Sequence, residues 1–135
     1  MNYLVDVNVL SEATKPVPDG KVVEWLSAHE EDFVVDSIIL GELYIGILAL
    51  PAGRKRTQLE QWFAAVVEAT DCLPWDAAVS RRWAGLVVEL QRKGEPLPVL
   101  DGMIAATALT HGLTVVTRNV RDFQKTGVNV LDPFA

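Results

Sequence analysis

Five side chains in this sequence have the types and spacing for chemistry on a phosphate: Asp6, Glu42, Asp101, Asn119 and Asp122. Asp6 ends the apolar run Tyr3-Leu4-Val5, and Asp101 opens the apolar stretch Met103-Ile104-Ala105-Ala106. Glu42 lies among Ile38, Leu40, Leu43 and Ile47, where a carboxylate is costly unless something pairs with it. Asn119 and Asp122 follow the β-branched run Thr114-Val115-Val116-Thr117. Carboxylates that converge repel one another unless a cation or a proton lies between them. A donor set of oxygens, without His or Cys, suits Mg²⁺ or Mn²⁺ rather than zinc. Such an ion orients a water, lowers its pKa and neutralises charge growing on a phosphoryl group. Hydrolysis of a phosphodiester is therefore the natural chemistry of this set.

Each residue then takes an expected role. Asp6 and Asp101 hold the metal directly or through its waters. Glu42 completes the shell or orients the attacking water. Asn119 and Asp122 tune the outer shell, and Thr117 and Arg118 are read as phosphate contacts. Each acid also has a purely structural alternative: Asp6 as the cap of a turn, Asp101 as an acid favoured by a helix dipole, Glu42 as a side chain reaching to water. Asn119 and Asp122 have the alternative of turn residues. His29 and His111 fall near helix ends and read as capping groups, and the four tryptophans read as core or interface.

The elements that must position these residues alternate in type. Residues 2–6 read as a buried strand and 7–14 as a short helix or turn; Lys15–Gly20 is a loop by its Pro and Gly. A helix is expected over 20–29, a strand over Phe33–Asp36, and a helix over 38–50 capped by Ser37, with a core face of Ile38, Leu40, Leu43, Ile47 and Leu48. Pro51-Ala52-Gly53 breaks the chain before a helix over 54–69. Cys72-Leu73-Pro74 is a short strand or extended link, and Asp76 caps a helix over 77–93. A helix over 99–111 ends at Gly112, strands follow at 114–117 and 128–131, and a turn of helix lies between them. Helices alternating with continuous apolar strands imply an α/β fold whose mainly parallel sheet is covered on both faces. If the sheet is parallel, the ends of the first and fourth strands share one edge, where Asp6 meets the 118–122 segment.

The chain has 135 residues, half of them hydrophobic, which suits one domain with a single core. No apolar run reaches the ~20 residues of a membrane span, and no export signal is evident, so a cytoplasmic protein without membrane contact is expected. The single Cys72 offers neither a disulfide nor a thiolate cluster. A net charge of −6 argues against non-specific nucleic-acid binding, although bases cluster at Arg54-Lys55-Arg56, Arg81-Arg82, Arg92-Lys93 and around Arg118, Arg121 and Lys125.

Four motifs in order resemble the PIN-domain nucleases. They are Leu4-Val5-Asp6-Val7-Asn8-Val9-Leu10-Ser11-Glu12, Ser37-Ile38-Ile39-Leu40-Gly41-Glu42-Leu43-Tyr44-Ile45-Gly46, Asp101-Gly102-Met103-Ile104-Ala105-Ala106-Thr107-Ala108 and Val116-Thr117-Arg118-Asn119-Val120-Arg121-Asp122-Phe123. The length and the Ser11-Glu12 continuation resemble VapC-like toxins of type II toxin–antitoxin pairs. That resemblance implies a single PIN-like domain over residues 1–135: three α/β/α layers around a mainly parallel sheet of four to five strands. It implies a magnesium-dependent endoribonuclease with Asp6, Glu42 and Asp101 as metal-binding acids. It also implies a homodimer inhibited by a cognate antitoxin, an RNA substrate (tRNA, rRNA or mRNA), and DNA met only through the antitoxin. Two positions depart from the family pattern. Val7 stands where relatives carry Thr or Ser, and Asn119 stands where many carry a fourth acid.

Two other classes are open. One is a weakly catalytic or non-catalytic dimeric module that binds its antitoxin and co-regulates their promoter. The other is a small-molecule phosphatase with an Asp nucleophile, which generally wants a second acid two residues on, where this chain has Asn8.

Overall fold

The computed structural model describes residues 2–135. Five strands form one sheet: β1 (Tyr3–Val5), β2 (Phe33–Asp36), β3 (Cys72–Leu73), β4 (Thr114–Val116) and β5 (Val130–Leu131). All neighbours pair in parallel, in the order β3-β2-β1-β4-β5. Parallel neighbours need crossover connections, and helices supply them: α1 (Val7–Leu10), α2 (Gly20–Ala28), α3 (Ser37–Leu48), α4 (Arg54–Ala69), α5 (Ala77–Arg92), α6 (Val99–His111) and α7 (Val120–Gln124). A 3₁₀ turn over Ser11–Thr14 continues α1. Right-handed crossovers, the rule for such units, spread the helices over both faces, giving the three α/β/α layers.

From β1 the chain builds outward through β2 and β3, then returns to the other side of β1 for β4 and β5. The direction reverses between β1 and β4. Open α/β sheets bind their ligands outside the carboxyl ends of the strands at such a reversal. Here the register brings polar residues into a row. Leu4 is opposite Val34, Val5 opposite Val116, and Val116 opposite Leu131. One step beyond Val5, Val116 and Leu131 come Asp6, Thr117 and Asp132, and Asp36 ends β2 two residues beyond Val34.

The strands are apolar because both faces are covered. Leu4, Val5, Val35, Val115 and Val116 are wholly buried and pack with Val9, Ile39, Ile104 and Phe123 in one cluster. α6 is the most enclosed helix, with Gly102 and Ile104–Ala108 buried, and its small residues let it lie close to the sheet. It ends at Gly112, whose φ of +66° is a left-handed conformation that L side chains avoid. α4 has no buried residue and rests on α3 through half-buried Trp62 and Phe63.

Two local expectations are corrected. The cap of α3 is Asp36, whose Oδ1 accepts from the Ile39 N–H at 2.8 Å, while Ser37 is the first helical residue and exposed. The carboxylate wins because it reaches the helix start from the fixed end of β2. The core face of α3 is Ile39, Leu43 and Ile47, and Leu48 is 43 % exposed. Ile38 and Leu40 pack against the core from its margin as half-buried side chains.

Candidate active site

Asp6 is 5 % exposed and caps α1. Its Oδ1 accepts from the Val7 N–H at 2.8 Å, and its Oδ2 accepts from the Thr117 hydroxyl at 2.8 Å and the Asn8 amide at 3.4 Å. The capping alternative therefore holds, and the same carboxylate also lies beside the acids of α3 and α6. Burial holds the carboxyl above its ordinary range, and the Thr117 and Val7 bonds pull it back down.

Thr117, expected as a phosphate contact, is wholly buried. Its hydroxyl is saturated by neighbours: it donates to Asp6, and its oxygen accepts from the Asn8 amide at 3.2 Å and the Asn119 N–H at 3.0 Å. It orients Asp6 from β4. The hydroxyl that Val7 cannot offer thus reaches the first acid from another strand. Asn8 completes the lattice, its Oδ1 accepting from the Arg118 N–H at 3.0 Å. With both ends of its amide engaged, Asn8 cannot serve as the second acid of a phosphatase.

Asn119 stands between two acids. Its amide donates to Asp101 Oδ2 and Asp122 Oδ2, each at 3.1 Å. A third carboxylate there would add repulsion; the amide bridges instead. Asp122 also faces Lys125 at 3.7 Å. Asp101 lies in the first turn of α6, a helix with no side-chain cap. Its pKa is pushed up to about 6 by burial first, then by Asp6 and Asp122, against the lowering bond from Asn119.

Glu42 comes from α3 and is half-buried, with Oε1 enclosed and without a hydrogen-bond partner. Its pKa is pushed up to about 7 by burial, then by Asp6, Asp101 and Asp36. The three acids singled out from the sequence are therefore electrostatic neighbours, brought from α1, α3 and α6.

Asp36 belongs with them and was missed. It is 1 % exposed, its Oδ2 is buried without a hydrogen-bond partner, and its pKa is raised by burial first and lastly by Asp6. The signal was available, because Asp36 ends the run Phe33-Val34-Val35 as Asp6 ends Tyr3-Leu4-Val5.

Arg118 is exposed at the rim of this site, and its guanidinium lies over the Phe134 ring at 4.1 Å. His29 is structural, as expected: its Nδ1 is 2.8 Å from the Trp25 carbonyl and its ring stacks on Trp25 at 4.3 Å.

Among the described residues no three His, Cys, Asp or Glu side chains stand close enough to make a ready metal cage. The chemistry of the donors still fits a hard divalent cation. The set is all oxygen, its acids raise one another's pKa, and one enclosed carboxylate oxygen of Glu42 lacks a partner. Mg²⁺ keeps several waters and takes one or two carboxylates rather than a full protein cage, which an open cluster can supply.

The PIN domain family matches residues 3–129. VapC ribonuclease Y4jK of Sinorhizobium fredii is 35 % identical, over 97 % of this chain and 96 % of the relative. Toxin FitB of Neisseria gonorrhoeae is 36 % identical, over 97 % of each chain. The solved structure of FitAB bound to an IR36 DNA fragment superposes with a TM-score of 0.92 at 31 % identity, covering 98 % of this chain and 96 % of that one. The chain belongs to the PIN-domain family, and its five-stranded parallel sheet is the PIN-like α/β/α fold.

Proposed function

We propose that this chain is the ribonuclease toxin of a toxin–antitoxin pair, a single nuclease domain over residues 1–135 that cuts RNA internally with Mg²⁺, or Mn²⁺ in its place. The observation that carries the reading is the group of mutually repelling acids at the point where the sheet reverses, with Glu42 pushed up to about 7 and Asp101 to about 6. The ribonuclease named among its relatives and the toxin beside it support the same activity.

In this reading Asp6 and Asp101 would hold the cation, and Glu42 would complete its shell. A bound Mg²⁺ or Mn²⁺ supplies a water of lowered pKa and neutralises charge on the phosphate. The rest is done by the chain. Thr117 and the Val7 N–H keep Asp6 in one orientation. Asn119 bridges Asp101 and Asp122 and offsets their repulsion. Glu42 Oε1, enclosed and without a hydrogen-bond partner, is placed to orient the attacking water where it does not complete the shell. Asn119 and Asp122 act from the outer shell, and Arg118 at the rim meets the RNA backbone.

The protein acts in the cytoplasm as a homodimer and is silenced by a cognate antitoxin that covers the acidic cleft. It meets DNA only through that antitoxin; the FitAB–DNA complex is the corresponding assembly of a relative. The competing reading, a non-catalytic partner that only co-regulates a promoter, rests on Val7 and Asn119. The Thr117 hydroxyl and the Asn119 amide bridge weaken it, since both positions are filled by groups that organise the acids.

Expression of Asp6→Asn tests the proposal. This variant keeps the cap but loses the charge, so growth arrest and RNA cleavage should both vanish with thermal unfolding unchanged or raised. Full toxicity in that variant would remove Asp6 from the mechanism.

A further inference from the structure

We propose that Phe134 is a positioning residue for RNA: its ring holds the Arg118 guanidinium at the rim of the acid site, making one phosphate-binding subsite from a ring and a cation distant in sequence. The inference rests on the nuclease reading and adds a residue that no motif contains.

Arg118 is fixed at both ends. Its N–H donates to Asn8 Oδ1 at 3.0 Å, tying its main chain to the lattice around Asp6. Its guanidinium carbon lies 4.1 Å from the centre of the Phe134 ring. Between these points the side chain is exposed. Among the described residues, no carboxylate lies within 4.0 Å of its guanidinium nitrogens. Several other bases also lack an ion pair; what sets Arg118 apart is that its guanidinium is seated on a ring beside the acids. A guanidinium held over a ring by cation–π attraction makes no hydrogen bond through that contact, so its N–H groups stay available, and their planar fork matches two phosphate oxygens.

Phe134 is itself strapped down. Its N–H donates to Asp132 Oδ1 at 2.9 Å, and its carbonyl accepts from Lys21 Nζ on α2 at 2.7 Å. Pro133 between them is buried. The ring is therefore a fixed platform rather than a loose tail. Charge explains why a platform is needed. The chain carries −6, and the cleft gathers Asp6, Glu42, Asp101 and Asp122. An RNA strand approaching those acids is repelled, so a cation beside them has to be held in place without a close ion pair of its own. Arg118 is held by the Phe134 ring, and the nearest charge it acts on, the Glu12 carboxylate, lies beyond ion-pair distance and is paired with Lys15.

The test is a double-mutant cycle on Arg118→Met, Phe134→Leu, the pair together, and Phe134→Trp as the conservative control. Two readouts are taken with a labelled single-stranded RNA. One is KM and kcat for cleavage with Mg²⁺. The other is RNA affinity by fluorescence anisotropy across a salt series, in an Asp6→Asn background. Each single substitution should raise KM and weaken RNA binding roughly five-fold, with the loss falling on KM rather than kcat, and lower the salt slope by about one. The double variant should lose no more than Arg118→Met alone, and Phe134→Trp should retain affinity. Circular dichroism and thermal unfolding confirm that each variant folds. Losses that multiply, or normal binding by Phe134→Leu, overturn the proposal. If both singles bind RNA normally while Asp6→Asn still abolishes cleavage, this inference fails and the nuclease reading stands. If no divalent ion supports cleavage by the wild-type chain, the nuclease reading fails first, and the anisotropy cycle still decides whether Arg118 and Phe134 act as a unit.

Discussion

Replacing Glu42 by Gln should make the metal-free protein more stable at pH 8 while destroying its function. The sign follows from the direction of its pKa. Glu42 is pushed from an ordinary 4.5 up to about 7 in the fold. The folded state thus holds this proton more tightly than the unfolded chain does. Stability from this group is complete below about pH 4.5 and is lost as pH rises towards 7. Above 7 the ionised carboxylate faces Asp6, Asp101 and Asp36. At about 1.4 kcal/mol per pH unit the whole difference is ~3 kcal/mol; water reaches the half-buried side chain, so about 1–2 kcal/mol survives screening. Gln keeps the shape and removes that repulsion. For a domain of this size the gain is roughly 4–8 °C in melting temperature. The assay is urea and thermal unfolding of both proteins in EDTA at pH 5 and pH 8. Gln should match the wild type at pH 5 and exceed it at pH 8. Added Mg²⁺ should then close most of that gap, because ion at about ten times its Kd stabilises the binder by about 1.4 kcal/mol. Equal stabilities at pH 8, or a gain of the same size at both pH values, would refute the electrostatic account of the cluster.

Three further outcomes follow from the hydrogen-bond lattice. Thr117→Val removes the donor to Asp6 and the acceptor for the Asn119 N–H; urea unfolding should show a loss of about 1–3 kcal/mol, and cleavage should need more Mg²⁺. Asn119→Asp deletes two amide bonds and adds an acid, so the metal-free protein should lose about 1–2 kcal/mol while the Mg²⁺ concentration for half-maximal cleavage falls. Asp36→Ala should cost about 1 kcal/mol through the lost cap of α3, whereas Asp36→Asn keeps the cap, removes a buried charge and should unfold at higher urea than Ala.

The class of fold was legible because both faces of the sheet are covered. Runs such as Val34-Val35 and Val115-Val116 read as interior strands, and the intervening apolar periodicity read as helices. Strand order was not legible: it depends on which way each crossover turns, and nothing local in β3, two residues long, says it lies beside β2. Asp6, Glu42 and Asp101 stood out because a carboxylate in apolar surroundings is anomalous by itself. Asp36 carried the same anomaly, but Ser37 beside it offered a simpler cap and hid it. Thr117 was legible as a neighbour of the site, but its burial was not, since burial is decided by the register of β1 against β4. The stacking of Arg118 on Phe134 joins residues that only the return of β5 brings together, and no spacing rule encodes it.

The central claim is that these acids hold a divalent ion that cuts RNA. Its most direct test is cleavage of a labelled RNA by the purified, partner-free chain, first in EDTA and then across a Mg²⁺ or Mn²⁺ titration. The account predicts no internal cuts in EDTA, saturable cleavage as the ion is added, and none at any ion concentration for Asp6→Asn. Cleavage that persists in EDTA, or an intact RNA at saturating ion with a folded protein, would contradict it.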